Sequence, residues 1–565
     1  MINNKLIKIK KKLIKYKIDG YIVPKNDEFF SEYVKFDRLK IISNFDGSAG
    51  LAIILKNKNY LFVDGRYTIQ AKKQSGTYFK IIEIHKFLPH QILKNLNLGY
   101  DPKLFTKLLL NYYFRDKIKL IPIKENLVAY KKNEKISSNN KFYSISNKIA
   151  GKNFKNKINL VSNLIKKNKA DYLFVTAPEN IAWLLNIRGN DTPFSPMPNC
   201  NLLMSKNKKI NLIVNEIKTT NLVKQNKISK KNIINPKKFS EFIQSLSGKN
   251  IIIDRKTCSI FNEQIIEKKF KIKNDTDPCY YLKSLKNPSE IKYMQKAHLE
   301  DGIALTKFIY WMKNLNNKKI TEIKAQKKLE EFRKQNKNYL YPSFSTIAGT
   351  GSNGAIVHYR VTKETNKEIK KKDIFLCDSG GQYKYGTTDV TRTICFTKPS
   401  DRIRNIFTKV LKGHIAVASC NINKFNTGSE IDTKARKYLK SSGLDYAHGT
   451  GHGVGFFSNV HEGPQSISKF NKVKLKEGMI LSNEPGYYEE GKFGIRIENL
   501  VFVKRFKGKL SFENLTIAPI DKDLINFKLL NKNEKEYLVK YHLFVYSKLS
   551  KFLNKQEKKW LIRNI

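Results

Sequence analysis

Ile374-Phe375-Leu376-Cys377-Asp378-Ser379-Gly380 and, after a glycine-bearing link, Thr387-Thr388-Asp389-Val390-Thr391-Arg392-Thr393-Ile394 form the stretch from which the rest of the chain can be read. An apolar run that ends on an acid, followed by a run rich in β-branched residues, is the pattern of a hairpin. Folding about position 383 or 384 predicts Asp378 opposite Asp389. A second copy follows in Met479-Ile480-Leu481-Ser482-Asn483-Glu484-Pro485-Gly486 and Gly494-Ile495-Arg496-Ile497-Glu498-Asn499, with Gly491 in the turn and Glu484 facing Glu498. The strand period of two sends Ile495 and Ile497 to one face and Arg496 and Glu498 to the other, so the carboxylate leaves the apolar layer.

Between the hairpins lies His448-Gly449-Thr450-Gly451-His452-Gly453-Val454-Gly455, too rich in glycine for a regular helix or strand. Glycine there lets the backbone come close to a neighbour. Taken singly, an Asp before Ser-Gly is a turn residue, a Glu before Pro-Gly is solvated and a lone histidine is structural. Taken together, four acids in one sheet repel one another and raise one another's pKa, so their clustering calls for cations. One divalent ion under-neutralises the set, and two balance it. Hard oxygen donors with a single imidazole suit manganese, iron, cobalt or zinc.

These motifs, from Asp378-Ser379-Gly380-Gly381-Gln382-Tyr383 to Gly494-Ile495-Arg496-Ile497-Glu498-Asn499, resemble the signatures of aminopeptidase P, the Xaa-Pro aminopeptidases of the pita-bread metallopeptidase group, in its three-domain form. The resemblance implies two duplicated N-terminal α/β domains followed by a C-terminal pita-bread catalytic domain, a mixed α/β and α+β chain. It implies release of the N-terminal residue from peptides with proline second, by attack of a hydroxide bridging two divalent ions. Manganese comes first, with zinc, cobalt or iron as alternatives. On the family's pattern Asp378 binds one ion, His452 and Glu484 the other, and Asp389 and Glu498 share both. Glu484 doubles as proton carrier, and His358, His448 and His461 surround the reacting carbonyl, with His358 and His461 touching substrate. A homodimer is part of the same implication.

The chain has 565 residues, enough for about three or four domains, and 40% hydrophobic content. Its 107 Lys and Arg against 49 Asp and Glu give +58. Such charge alone suggests nucleic acid or an anionic membrane. The lysines, however, are scattered among Asn and Ile rather than interleaved with aromatics in one groove, so compositional bias is the simpler account and no nucleic-acid partner is expected. The six cysteines show neither paired nor framework spacing, which points to a reducing compartment. Residues 1–17 lack the apolar core of a signal peptide, and no run approaches the ~18 residues of a membrane span. A cytoplasmic protein without a membrane partner is expected.

Along the chain, strands are expected at residues 18–24, 51–55 and 60–63, with a helix beginning near Thr68. Phe45-Asp46-Gly47-Ser48-Ala49-Gly50 and Asp64-Gly65-Arg66-Tyr67 resemble the family's N-terminal domain, where Arg66 would bind substrate. The local reading is a turn arginine paired with a nearby acid. An internal repeat relates Asp19–Pro24 to Asp171–Thr176 and Gly99-Tyr100-Asp101 to Ile252-Ile253-Asp254, as two copies of one α/β unit would. The basic stretch 224–238 reads as a solvated loop. Ser289 could cap a long helix from Ile291 toward Trp311, and residues 534–553 form an amphipathic helix with Leu538, Tyr541, Val545, Leu549 and Phe552 on one stripe. The expected domains are 1–131, 142–285, 286–510 (catalytic) and 511–565 (a helical extension), with the first boundary in the polar segment 131–141.

Three rivals stand beside this reading. A prolidase has the same ligands but cuts Xaa-Pro dipeptides and usually lacks the duplicated N-terminal pair. A methionine aminopeptidase is much shorter. Non-catalytic pita-bread interaction proteins have lost metal ligands, whereas all five are present here.

Overall fold

The computed structural model describes residues 2–115, 118–128, 140–315 and 319–563. Most of the segment 131–141, where a domain boundary was expected, lies outside the described residues. The chain forms two compact units, residues 1–147 with 152–280 and residues 148–151 with 281–565.

The first unit holds two six-stranded mixed sheets. In one, β1 (Gly20–Pro24), β2 (Leu51–Leu55), β3 (Asn59–Val63), β4 (Lys80–Glu83), β5 (Asn97–Tyr100) and β6 (Lys119–Pro122) are ordered β4-β3-β2-β1-β5-β6. In the other, β7 (Tyr172–Val175), β8 (Asn201–Ser205), β9 (Ile210–Ile213), β10 (Ile233–Ile234), β11 (Asn250–Ile253) and β12 (Lys271–Asn274) are ordered β10-β9-β8-β7-β11-β12. The two orders are the same position by position, and the repeated segments are the central parallel pairs, β1 with β5 and β7 with β11.

The repeat reaches the side chains. Asn97 N–H donates to Asp19 Oδ2 at 2.9 Å, and Asn250 N–H donates to Asp171 Oδ2 at 3.0 Å. At the strand ends, Asp101 and Asp254 each accept the N–H two residues on, at 3.0 and 2.9 Å, which turns the chain. One stretch departs from expectation. Within 224–238, Ile233 and Ile234 form β10, because two β-branched residues among lysines can still complete a parallel sheet edge. The N-terminal helix α1 (Ile2–Lys15) puts Leu6, Ile9 and Leu13 into the core and its lysines outward.

The second unit is itself built twice. Helix α2 (Pro288–Lys313) and α3 (Glu322–Lys334) precede β13 (Ile347–Thr350), β14 (Phe375–Ser379) and β15 (Val390–Ile394). Helix α4 (Asp401–Ala418) and α5 (Gly428–Lys440) precede β16 (Gly451–Gly453), β17 (Glu462–Ile467), β18 (Ile480–Asn483), β19 (Gly486–Glu489), β20 (Phe493–Arg496) and β21 (Asn499–Phe506). In each half the second helix starts at a threonine, Thr321 or Thr427, that also makes an antiparallel bridge, to Glu368 and to Lys474.

The cap of α2 is Asn287 rather than Ser289. The Asn287 side chain accepts from the N–H groups of Ser289 and Glu290, and Glu290 returns the bond, while Ser289 Oγ donates to Lys148 O at 2.6 Å. Helix α6 (Lys532–Leu549) begins at an Asn531–Glu534 box and buries Leu538, Tyr541, Val545 and Leu549. Phe552 lies past its end, 41% exposed.

Candidate metal centre

Strands β14 and β15 bring the first two acids to the site. Their register sets Asp378 against Thr391 and Ser379 against Val390, so Asp378 is not opposite Asp389 as the sequence suggested. The turn falls at Lys384-Tyr385, because Tyr383 pairs with Gly386. Tertiary contacts fix it there: the Tyr383 hydroxyl donates to Asp301 Oδ1 at 2.9 Å and the Tyr385 hydroxyl to Glu300, both on α2. A shift of two residues keeps every side chain on its face, so Asp389 still shares the face of Asp378 and Thr391.

The second hairpin has the expected register. Asn483 pairs with Asn499 and Gly486 with Arg496, which leaves Glu484 and Glu498 facing each other between the two ladders. Gly491, at φ +75°, occupies the turn. The hairpins meet where Glu498 N–H donates to Thr391 O at 3.2 Å. Glycine in the linking segment has a definite use: a Cβ at Gly451 would lie 1.9 Å from Ser482 O. Only glycine lets β16 approach β18 and deliver His452 to the acids.

There, ligand atoms of Asp389, His452 and Glu498 lie within 4.8 Å of one another. His452 Nε2 is 3.4 Å from Asp389 Oδ2 and 3.4 Å from Glu484 Oε1. Its Nδ1 is 2.9 Å from Gly453 O, which fixes the tautomer that leaves Nε2 free to act as a donor to a metal. Asp378 joins through Arg496, whose Nη2 donates to Asp378 Oδ2 at 2.6 Å.

Arg496 is 1% exposed and also donates to Thr391 Oγ1 at 3.0 Å and the Tyr488 hydroxyl at 2.6 Å. Thr391 Oγ1 donates in turn to Glu498 Oε2 at 2.9 Å. Tyr488 reaches His448 Nε2 at 2.9 Å, so one polar network runs from His448 to the acids. Sequence reasoning missed this network. The alternation that sends Glu498 away from the apolar layer also sends Arg496 there, and that signal was available.

The acids crowd one another in a buried space. Burial, reinforced by Asp389 and Glu484 and opposed by Arg496, pushes the Asp378 carboxyl up to about 7. Burial and neighbouring carboxylates likewise raise Glu484 and Glu498. Burial opposes a charge on His452, but Asp389 and Glu484 outweigh it and lift the imidazole to about 9. Asp378 Oδ1 is buried with no hydrogen-bond partner. A buried carboxylate oxygen left unpaired among like charges fits a cation ligand.

The other histidines differ in placement. His461 lies with its ring centroid 4.2 Å from that of His452. His358 is half-buried in the segment between β13 and β14, next to Tyr359, which belongs to a small apolar cluster with Ile347 and Leu376 against which Tyr488 packs. Arg66 belongs to the other unit, where its guanidinium is bidentate to Asp64 at 3.0 and 2.7 Å and lies over Tyr67, the local pairing that a turn arginine makes.

A second group of potential ligands, Cys395, Asp521 and Asp523, is filled by Lys313, whose Nζ is 2.6 Å from Asp521.

Comparison with known proteins follows the same lines. Residues 292–505 match the model of metallopeptidase family M24, and residues 508–565 match the C-terminal region of that peptidase. Residues 5–148 and 133–290 each match a creatinase/prolidase N-terminal domain. A Laccaria bicolor protein named "Probable Xaa-Pro aminopeptidase P" is 36% identical over 602 residues, covering 99% of this chain and 92% of its own length. The chain belongs to the Xaa-Pro aminopeptidase P family. As a family member it is a metallopeptidase enzyme whose second unit is the pita-bread domain.

Among solved structures, the Caenorhabditis elegans X-prolyl aminopeptidase, described as a cytosolic enzyme with a di-nuclear active site, superposes with TM-score 0.91 at 29% identity. That likeness covers 100% of this chain and 99% of the other. The Pyrococcus furiosus prolidase covers 98% of its own length but 63% of this chain, with TM-score 0.51 and 27% identity.

Proposed function

We propose that this protein removes the N-terminal residue from peptides with proline in second position, using two divalent cations held by Asp378, Asp389, His452, Glu484 and Glu498. The observation that carries the dinuclear hydrolase is the convergence of four carboxylates and one imidazole, with a buried oxygen of Asp378 unpaired, and the proline preference rests on the 36% identity to the Laccaria bicolor protein. Two dications balance four carboxylates, and manganese fits the oxygen-rich donor set. Held by these residues, the ions would supply the acidification of a water and the polarisation of the peptide carbonyl.

The chain's own groups do the rest. The bond before proline is a tertiary amide without an N–H, and its nitrogen must gain a proton as it leaves. Glu484 would carry that proton, a role supported by its carboxylate accepting from Ser482 Oγ at 3.0 Å beside His452. His448, which now meets the Tyr488 hydroxyl through Nε2 and Gly449 O through Nδ1, would with His461 and His358 surround the developing oxyanion and the leaving group, a preorganised term once one of those bonds is exchanged. His358 and His461 would also contact substrate. Arg66 enters as a substrate-binding residue on family resemblance, with Asp64 as its present partner. A cytoplasmic location, supported by the cytosolic description of the nematode relative, and a homodimer belong to the same reading.

Prolidase activity is the second reading, on the strength of the Pyrococcus furiosus likeness, which leaves over a third of this chain unmatched. Metal analysis with paired assays on an Xaa-Pro-Xaa tripeptide and an Xaa-Pro dipeptide separates the two. Tripeptide cleavage with two transition-metal ions per chain is expected. Cleavage of the dipeptide alone would move the assignment to prolidase, and a metal-free, inactive protein would return it to the interaction proteins.

A further inference from the structure

Strands β16 and β17 pair Gly451 with Ile467 and His452 with Ser466, then slip so that Gly453 faces Glu462. The slip leaves Gly463, Pro464 and Gln465 as an unmatched bulge beside the metal centre. Bulges next to active sites re-aim side chains, at the expense of the ladder bonds that would fix them. His461 lies just outside the last paired residue, so something other than the ladder must hold it.

The neighbouring residue, Glu462, is itself firmly held. Glu462 has a side chain 3% exposed, and its carboxylate is flanked by two buried lysines. Lys283 Nζ is 3.3 Å from Oε2 with its side chain 3% exposed, and Lys286, fully buried, contacts Oε1. Both lysines stand on the segment that leads into α2. Lys286 N–H donates to Gly478 O at 3.1 Å, and Asn287 caps the helix. Glu462 is thus tied to a rigid element.

His461 directly precedes Glu462, the first residue of β17, so holding Glu462 holds the backbone from which His461 projects, and the His461 and His452 ring centroids lie 4.2 Å apart. Burying three charged side chains for stability alone is unrewarding, because apolar packing of equal volume holds a fold as well or better.

We propose that the buried Lys283–Glu462–Lys286 cluster is an anchor that positions His461 beside the metal centre, making Glu462 and Lys286 positioning residues for bond cleavage. The inference rests on the role given to His461 above. The test is a double-mutant cycle on the metal-loaded full chain: Lys286→Met/Glu462→Gln, made with and without His461→Ala, assayed for kcat and KM on an Xaa-Pro-Xaa tripeptide, with metal content measured alongside. With His461 present, kcat should fall about 10²-fold, the scale of a misplaced group, with KM and metal content little changed. With His461 absent, the same pair should cause no further fall, and Lys286→Arg alone should keep most of kcat.

Equal falls in both backgrounds would show a general structural role and overturn the anchor while leaving His461 its part. A His461→Ala protein of normal kcat would overturn the role of His461 and the anchor with it. If the double variant does not fold, Glu462→Gln alone is read in the same cycle.

Discussion

In the proposed reaction Glu484 would combine two demands on one side chain, a metal-facing oxygen and a proton to deliver. Glu484→Ala is therefore expected to lower kcat by at least the 10²–10⁴-fold of about one general acid–base group, with the fold intact by circular dichroism. Retained turnover at normal metal content would contradict the assignment. Arg496 acts differently, since it touches Asp378, Thr391 and Tyr488 from a site 1% exposed. Arg496→Leu leaves a buried carboxylate without its counter-charge. Denaturant unfolding should show a loss of about 3 kcal/mol, and a change under 1 kcal/mol would mean that the site relaxes around the loss. The five proposed ligands were legible as candidates because acids and histidine interrupt apolar strands. Arg496 was less legible, because a strand arginine is ordinarily a solvated one.

The elements show how backbone chemistry aims these groups. β16 touches β18 only because Gly451 lacks a Cβ, which would sit 1.9 Å from Ser482 O. Gly451→Ala should push the strands apart, cost about 1–3 kcal/mol by overpacking and weaken metal binding by moving His452. Thermal melts with and without metal measure both effects, and an unchanged melting temperature in either condition would count against this account. The hairpins illustrate what local pattern can and cannot fix. Period two and the turn glycine placed Glu484 against Glu498, since Gly491 adopts a conformation other residues resist. The first hairpin turned later than its sequence suggested, since Tyr383 and Tyr385 bond to acids on a helix more than 80 residues earlier. Likewise, Asn287 displaced Ser289 as cap, a choice that neighbouring Lys148 helps to make by accepting the serine hydroxyl.

At the scale of the whole molecule, the acids make metal and proton competitors. Asp378 rises from 3.8 to about 7 in the folded, metal-free protein, and Glu484 and Glu498 rise as well. A carboxyl with a raised folded pKa binds more protons folded than unfolded, so its contribution is full below the unfolded pKa and lost as pH climbs through the folded value. Stability of the chelator-treated protein should therefore fall between pH 4 and 7, and added metal should raise the melting temperature more at pH 8 than at pH 5. Equal increments at both pH values would remove the carboxylate cluster from the explanation. The sequence by itself determined the acids and histidine, the faces they occupy, and the doubled α/β unit marked by Asp19 with Asp171 and Asp101 with Asp254, because strand periodicity and turn chemistry act over a few residues. Only the tertiary structure decided that Asp378 faces Thr391, that Arg496 ties Asp378 to Glu498 through Thr391, that Ile233 and Ile234 complete a sheet and that two buried lysines grip Glu462. Those outcomes depend on which distant groups share a buried space, and burial is what makes an unpaired charge or an unfilled edge too costly to leave.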